Sequence, residues 1–74
     1  MIIIDHTTFF HINVPFDRYF KAKILAIKSL DPDKSGSVRW IHDKKVWWVS
    51  GALRPQVTSL ATKFRATIQP YIIQ

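Results

Sequence analysis

The chain has 74 residues, with 11 Lys and Arg against 5 Asp, no Glu and no Cys, so its formal net charge is +6 with neutral histidines. This length excludes several domains, because domains usually run to roughly 100–150 residues. The absence of cysteine excludes disulfides and thiolate chemistry. A hydrophobic share of 47% is typical of a folded chain, since disordered chains lack the apolar residues that offset ordering entropy. We expect one small basic domain over residues 1–74.

The N-terminal segment predicts neither a signal peptide nor a membrane span. Residues 2–4 are isoleucines followed by Asp5, without a basic start or an apolar stretch of useful length. No apolar run approaches the roughly 20 residues that a transmembrane helix needs. We therefore expect a cytoplasmic protein without membrane contacts.

Residues 7–14 predict a strand, because side chains alternate in character along them. One face carries Thr8, Phe10, Ile12 and Val14, and the other carries Phe9, His11 and Asn13. The isoleucines at 2–4 either extend this strand or pair separately. Residues 16–30 then predict a helix, with an apolar stripe of Phe16, Phe20, Ile24, Ile27 and Leu30.

Residues 38–42 and 46–50 predict a β-hairpin joined by Asp43-Lys44-Lys45. Alternation puts Trp47 and Trp48 on opposite faces of the sheet. Residues 55–68 predict a second helix that Pro70 ends, with a buried stripe of Val57, Leu60, Ala61, Phe64 and Ile68. We expect the apolar residues 71–73 to pack back on the sheet.

These elements predict an α+β fold in two layers, in the order β-α-β-β-α. We expect a small, mostly antiparallel sheet with both helices on one face. The other face would then stay open, an arrangement that suits a binding surface.

Catalytic and metal-binding patterns are weak in this sequence. Asp31 and Asp33 flank a proline, which is typical of turn chemistry. His6, His11 and His42 are scattered and have no cysteine partner, so a surface or core-edge role is favoured over zinc binding. Nothing marks a nucleophile with an orienting group. We expect no enzyme activity, no metal and no cofactor.

Cations and aromatic rings interleave in the predicted hairpin. Single-stranded nucleic acid needs this combination, because phosphates meet the cations and bases stack on the rings. The alternatives are that two tryptophans pack in the core, that the loop lysines only keep the turn soluble, and that helix cations form a solvated face. The candidate nucleic-acid-binding residues are Arg39, Trp40, Lys44, Lys45, Trp47 and Trp48, extended by Arg18 and Lys21 on the first helix.

The chain also resembles the HARP (HepA-related) domain, which accompanies annealing helicases and related ATPases. The resemblance runs over residues 8–68, on FHINVPF at 10–16, ILAIK at 24–28, RW at 39–40 and KVWWV at 45–49. It implies a module that binds DNA structures, with Arg39, Trp40, Lys45 and Trp47 at the matching positions. Val49-Ser50-Gly51 stands where the family often has proline, and no ATPase engine is present in the chain.

The leading hypothesis is a non-enzymatic module that binds single-stranded or junction DNA. It would act as an accessory piece of a helicase or in phage DNA metabolism. The alternative is a small phage-type module that binds a protein partner or modulates a host factor, since exposed Trp and Arg anchor protein interfaces and a sheet edge can accept a strand. The chain would be a monomer or a weak homodimer.

Overall fold

The computed structural model describes residues 1–72. Pairs of strands precede each of the two α-helices, and a last strand follows the second helix. In chain order the elements are β1 (Ile2–Asp5), β2 (Phe9–Asn13), α1 (Phe20–Lys28), β3 (Val38–Ile41), β4 (Val46–Ser50), α2 (Arg54–Lys63) and β5 (Ile68–Pro70). A short 3-10 helix, Gly51–Leu53, joins β4 to α2. The predicted α+β class is confirmed.

The strands form one 5-stranded sheet in the order β3-β4-β2-β1-β5. Neighbouring strands are antiparallel except β1 and β5, which are parallel. The sheet is therefore mixed but mostly antiparallel, as predicted. The predicted β-α-β-β-α order lacked two of these strands, β1 and β5.

β1 is a separate strand because the chain reverses immediately after it. Thr7 has a φ of 73° and donates its N–H to Asp5 Oδ1 at 2.7 Å. The reversal lets Ile3 lie opposite Ile12, and both side chains are fully buried. The strand predicted from residue 7 consequently starts at Phe9, since the preceding residues form the turn.

One face of the sheet packs against both helices. α1 contributes Ile27 to the core and α2 contributes Val57, Leu60 and Ala61. The sheet contributes Ile3, Phe10, Ile12 and Val49. This arrangement confirms that the two helices share one face, and it leaves the opposite face to the alternate side chains of the same strands.

α1 starts later than the predicted residue 16. Asp17 accepts N–H groups from Tyr19 on its carboxylate and from Phe20 on its carbonyl, which makes a separate turn. The same carboxylate binds Lys23 Nζ at 2.6 Å, and this ion pair lets a lysine sit on the buried side of α1. Phe16, predicted as part of the buried stripe, is consequently 89% exposed.

α2 ends earlier than the predicted residue 68. Arg65 has a φ of 54°, and its N–H donates to Thr62 while the Ala66 N–H donates to Ala61. These bonds form a Schellman motif, which terminates a helix. Ile68 still packs against the core, but it does so from β5, beside Ile3.

The residues after β5 bear partly on the prediction that 71–73 pack back on the sheet. The ring of Tyr71 does return, with its centroid 4.4 Å from that of His6. Ile72 is 71% exposed. Ile73 lies outside the described residues.

Candidate nucleic-acid interface

The open face of the sheet carries a row of aromatic side chains. Phe9 and His11 on β2 alternate with the core residues, so they point away from the helices. Trp48 on β4 is paired with His11, and Arg39 on β3 is paired with Trp48. The strand register therefore lines up aromatic side chains on β2 and β4 with the guanidinium of Arg39 on β3.

The rings in this row contact one another. His6 stacks on Phe9 with centroids 4.6 Å apart and planes 11° apart. Phe9 in turn lies 5.9 Å from Trp48 at 24°. His11 is 4.6 Å from His6 and 5.0 Å from Phe9, and Tyr71 closes the far end against His6. We call this set the aromatic platform: His6, Phe9, His11, Trp48 and Tyr71.

The turn between β1 and β2 holds His6 in the platform, and α2 anchors that turn. The Arg54 guanidinium donates to both carboxylate oxygens of Asp5, at 2.6 and 3.1 Å, and to the Thr7 carbonyl at 3.0 Å. This guanidinium holds the pKa of the Asp5 carboxyl below its usual range. A helix residue thus fixes the turn at the edge of the platform.

Gly51 fixes the same turn from the other side. Its N–H donates to the Thr8 carbonyl at 2.8 Å. A Cβ at Gly51 would stand 2.7 Å from that oxygen and 2.8 Å from the Thr8 carbonyl carbon. The close approach of the two backbones therefore requires glycine at this position.

Positive charge lies at the hairpin end of the platform. The Arg39 guanidinium carbon is 5.4 Å from the Trp48 ring centroid, and Arg39 Nε donates to the Gly36 carbonyl at 2.9 Å. This bond and the ring contact orient the guanidinium beside the platform. Lys44 is exposed in the loop of the hairpin, and its charge contributes to lowering the pKa of His11.

His11 is the titratable group at the centre of the platform. The pKa of its imidazole is lowered mainly by burial, and the charges of His6 and Lys44 lower that pKa further. A depressed pKa favours the neutral ring at neutral pH. His11 therefore contributes an uncharged ring under those conditions, tilted by 62° from the His6 ring and by 51° from the Phe9 ring.

The structure divides the predicted binding residues between two surfaces. Arg39 and Trp48 lie on the open face, and Lys44 lies in the loop of the hairpin. Trp40, Lys45 and Trp47 instead line a groove on the helix side of the hairpin. Of the two tryptophans in this groove, Trp47 packs against the core, whereas Trp40 is 48% exposed.

The predicted cations of the first helix do not join the open face. Arg18 lies in the turn before α1, with its guanidinium carbon 5.1 Å from the Tyr19 ring centroid. Lys21 is exposed on α1, beside Phe20 and Leu25. Both belong to the helix layer of the fold.

His6, Phe9, His11 and Tyr71 were not among the predicted binding residues. Alternation already put Phe9 and His11 on the face of their strand opposite Phe10 and Ile12, and that signal could have added them. His6 and Tyr71 reach the platform through the turn at Thr7 and through pairing of β5 with β1. Neither feature has a pattern in the sequence.

Within residues 1–72, no group of three or more His, Cys, Asp or Glu side chains could hold a metal ion. No helix in that part of the chain is both long and apolar enough to cross a membrane.

Comparisons with known proteins bear on the identity of this fold. No protein-family model, no curated protein and no solved structure matches the chain. The resemblance to HARP domains is therefore a hypothesis that rests on the motifs quoted above.

Proposed function

We propose that this chain is a non-enzymatic nucleic-acid-binding module that holds a single strand across the open face of its sheet. The observation that carries this proposal is the aromatic platform. Its rings follow one another at centroid distances from 4.4 to 5.9 Å, on the face opposite both helices.

Stacking and charge give the module its two sources of affinity. Each base stacked on an aromatic side chain contributes roughly 1–3 kcal/mol and needs no particular sequence, because every base has a π face. Arg39 and Lys44 supply cations at one end of the platform, where the phosphates of a bound strand would pass. The net charge of +6 strengthens the attraction further.

The platform favours unpaired bases over duplex DNA. Bases in a duplex already stack on their neighbours and present only their edges in the grooves. A single strand, or the unpaired arm of a junction, can lay base faces on the rings. We therefore propose single-stranded or junction DNA as the ligand, with little sequence preference.

The proposed setting is an accessory role beside a helicase or in phage DNA metabolism. Its support is the resemblance to HARP domains, which matches this chain at Arg39, Trp40, Lys45 and Trp47. Of these, Arg39 adjoins the aromatic platform, while the others line the helix-side groove. The platform itself is a feature that the resemblance did not include.

Fluorescence anisotropy of a labelled oligothymidylate tests the proposal. Titration with the protein at low and at moderate salt should give binding that weakens steeply as salt rises, since phosphate contacts release counterions. Trp48→Ala should raise the Kd about tenfold, the equivalent of one lost stacking contact.

Trp40→Ala is the matched control, because it removes the same side chain from the other face of the sheet. It should leave the Kd for the oligonucleotide within about twofold of the wild type. No detectable binding at low salt would overturn the proposal. So would equal losses of affinity in the two variants, provided that both retain the circular dichroism spectrum of the wild type.

A further inference from the structure

A groove runs between α1 and the β3–β4 hairpin, on the side of the sheet away from the platform. Its volume is about 410 Å³. Its walls are apolar and its rim carries two lysines: the lining residues are Val14, Phe20, Ile24, Trp40 and Trp47, with Lys28 and Lys45. We call this feature the α1–hairpin groove.

The groove continues at both ends as an apolar track. A depression along α1 shares Phe20 and Ile24 with it and reaches Leu25, which is 67% exposed. A second depression shares Trp47 and extends to Val38. Leu25 and Trp40 are the exposed apolar side chains along the groove and these depressions. Exposed apolar side chains beside a groove are typical of surfaces that bind other proteins.

Lysines border this track along its length: Lys21, Lys28, Lys34 and Lys45. The ion pairs within residues 1–72 use Lys23 and Arg54, so these four lysines are left to solvent in the described chain. Asp31 is the one carboxylate beside the track, and it accepts the N–H groups of Ser35 and Gly36. The surface around the apolar track is therefore strongly positive.

We propose that the α1–hairpin groove binds an acidic segment of a partner protein, which inserts a bulky apolar side chain against Trp40 and Trp47. The apolar walls would accept the inserted side chain, and the bordering lysines would meet the flanking carboxylates. Buried aromatic anchors of this kind supply most of the binding energy in protein interfaces.

The geometry favours a side chain over a nucleobase as the occupant. The rings of Trp40 and Trp47 are 5.3 Å apart and tilted by 58°, so they form a corner. On the platform, by contrast, the Phe9 ring lies within 11° of His6 and 24° of Trp48, and these three near-parallel rings are the ones suited to stacking bases. The remaining apolar walls are Val14, Phe20 and Ile24, which suit a branched or aromatic side chain. A second copy of this chain is disfavoured, since it would bring another net charge of +6 to a positive surface.

The indole of Trp47 provides a reporter for the groove. Its Nε1 is buried and has no hydrogen-bond partner among the described residues. A ligand in the groove changes the surroundings of this N–H, which gives a separate resonance in a ¹H–¹⁵N spectrum. The Trp48 indole, on the opposite face, provides the internal control.

The test uses the full chain and an acetylated peptide in which one Phe is flanked by Asp and Glu. The Trp47 indole resonance should shift on titration while that of Trp48 stays in place. Trp40→Ala should raise the Kd about tenfold, and Trp48→Ala should leave it unchanged. A peptide with Ala in place of Phe, and one with Asn and Gln in place of the acids, should each bind at least about tenfold more weakly.

A charge reversal keeps the test independent of any effect of Trp40→Ala on folding. Lys28 and Lys45 are exposed, so Lys28→Glu with Lys45→Glu should leave the fold intact. The double variant should lose the acidic peptide and gain a peptide in which Lys flanks the same Phe. Binding of the acidic peptide that ignores this reversal would overturn the proposal.

Two further outcomes would also overturn it. One is the absence of any shift of the Trp47 indole with the acidic peptide. The other is a shift of that indole with oligothymidylate at equal or lower concentration, which would make the groove a nucleic-acid surface. Because the platform lies on the other face, failure of either proposal leaves the other to be judged by its own variants.

Discussion

Trp47 and Trp48 are adjacent in the chain, yet their rings lie on opposite faces of the sheet. Trp47 tilts against Trp40 beside the core, with ring centroids 5.3 Å apart, and Trp48 stacks with Phe9 on the open face, 5.9 Å away. The two rings therefore take part in different surfaces. Substituting each separately distinguishes what those surfaces bind.

The adjacent lysines of the hairpin loop should differ in the same way. The charge of Lys44 contributes to lowering the pKa of His11, whereas Lys45 lines the α1–hairpin groove. Lys44→Ala should therefore reduce the slope of log Kd against log salt for oligothymidylate by about one phosphate contact. Lys45→Ala should leave that slope nearly unchanged. Equal slopes for the two variants would contradict this division.

His11 should titrate below its ordinary pKa in the free protein. Burial and the charges of His6 and Lys44 all lower its pKa from 6.5. Because the pKa of His11 is lower in the folded state than in the unfolded state, the folded protein binds this proton more weakly. The contribution of His11 to the free energy of unfolding is therefore complete above pH 6.5. That contribution decreases as the pH falls from there toward the folded pKa.

NMR titration of the imidazole resonances checks this prediction. Lys44→Ala should raise the pKa of His11, and bound oligothymidylate should also raise it, because phosphate stabilises the imidazolium. A pKa of His11 at or above its ordinary value in the free protein would contradict the structure.

Gly51→Ala should destabilise the fold and weaken binding together. The new Cβ would stand 2.7 Å from the Thr8 carbonyl oxygen and 2.8 Å from the carbonyl carbon. Both are backbone atoms, which cannot rotate away as a side chain could. We expect a loss of about 1–3 kcal/mol in the free energy of unfolding by urea denaturation. Because the displaced turn carries His6, the Kd for oligothymidylate should also rise.

Ser50→Ala is the neighbouring control for this change. It removes only the hydroxyl that accepts the Ala52 N–H at 3.2 Å, so we expect a loss of about 1 kcal/mol or less. Its affinity for the oligonucleotide should match that of the wild type. A larger loss of stability for Ser50→Ala than for Gly51→Ala would contradict the close backbone approach.

The Asp5–Arg54 ion pair should stabilise the protein only while Asp5 is ionised. Arg54 lowers the pKa of Asp5 from 3.8, so the contribution is complete above that pH and is lost as the pH falls through the lower folded value. Arg54→Met should therefore lower the thermal midpoint at neutral pH. The difference from wild type should shrink in strong acid.

A double-mutant cycle with Asp5→Asn isolates this interaction from the loss of the Arg54 contact with the Phe10 ring. The coupling between the two substitutions should be positive at neutral pH and close to zero in strong acid. A coupling that does not change with pH would exclude the ion pair as its source.

Alternation along β2 and the β3–β4 hairpin was enough to predict the centre of the sheet and its two faces. It was not enough to predict β5. The helix α2 ends at a left-handed residue, which is usually glycine but here is Arg65, so the sequence has no signal that the helix stops before residue 68. The same difficulty hid the platform. His6 reaches it through a turn in which Thr7, a residue that rarely does so, has a positive φ.

The predicted binding residues lie on two surfaces for a related reason. The sequence predicts that Trp47 and Trp48 face opposite ways, because alternate residues of a strand do so, but the candidate residues were grouped by the hairpin that carries them. Arg39 and Trp48 therefore separate from Trp40 and Trp47. The cations and rings that are mixed along the hairpin sequence thus lie partly beside the aromatic platform and partly in the α1–hairpin groove.

The indole ¹H–¹⁵N spectrum, titrated with oligothymidylate at low salt, tests the proposed nucleic-acid interface most directly. The three tryptophans report both faces of the sheet in one experiment. We predict that the Trp48 resonance shifts with saturation while those of Trp40 and Trp47 stay in place. Shifts of Trp40 and Trp47 with Trp48 unmoved, or no shift of any indole, would contradict binding on the open face.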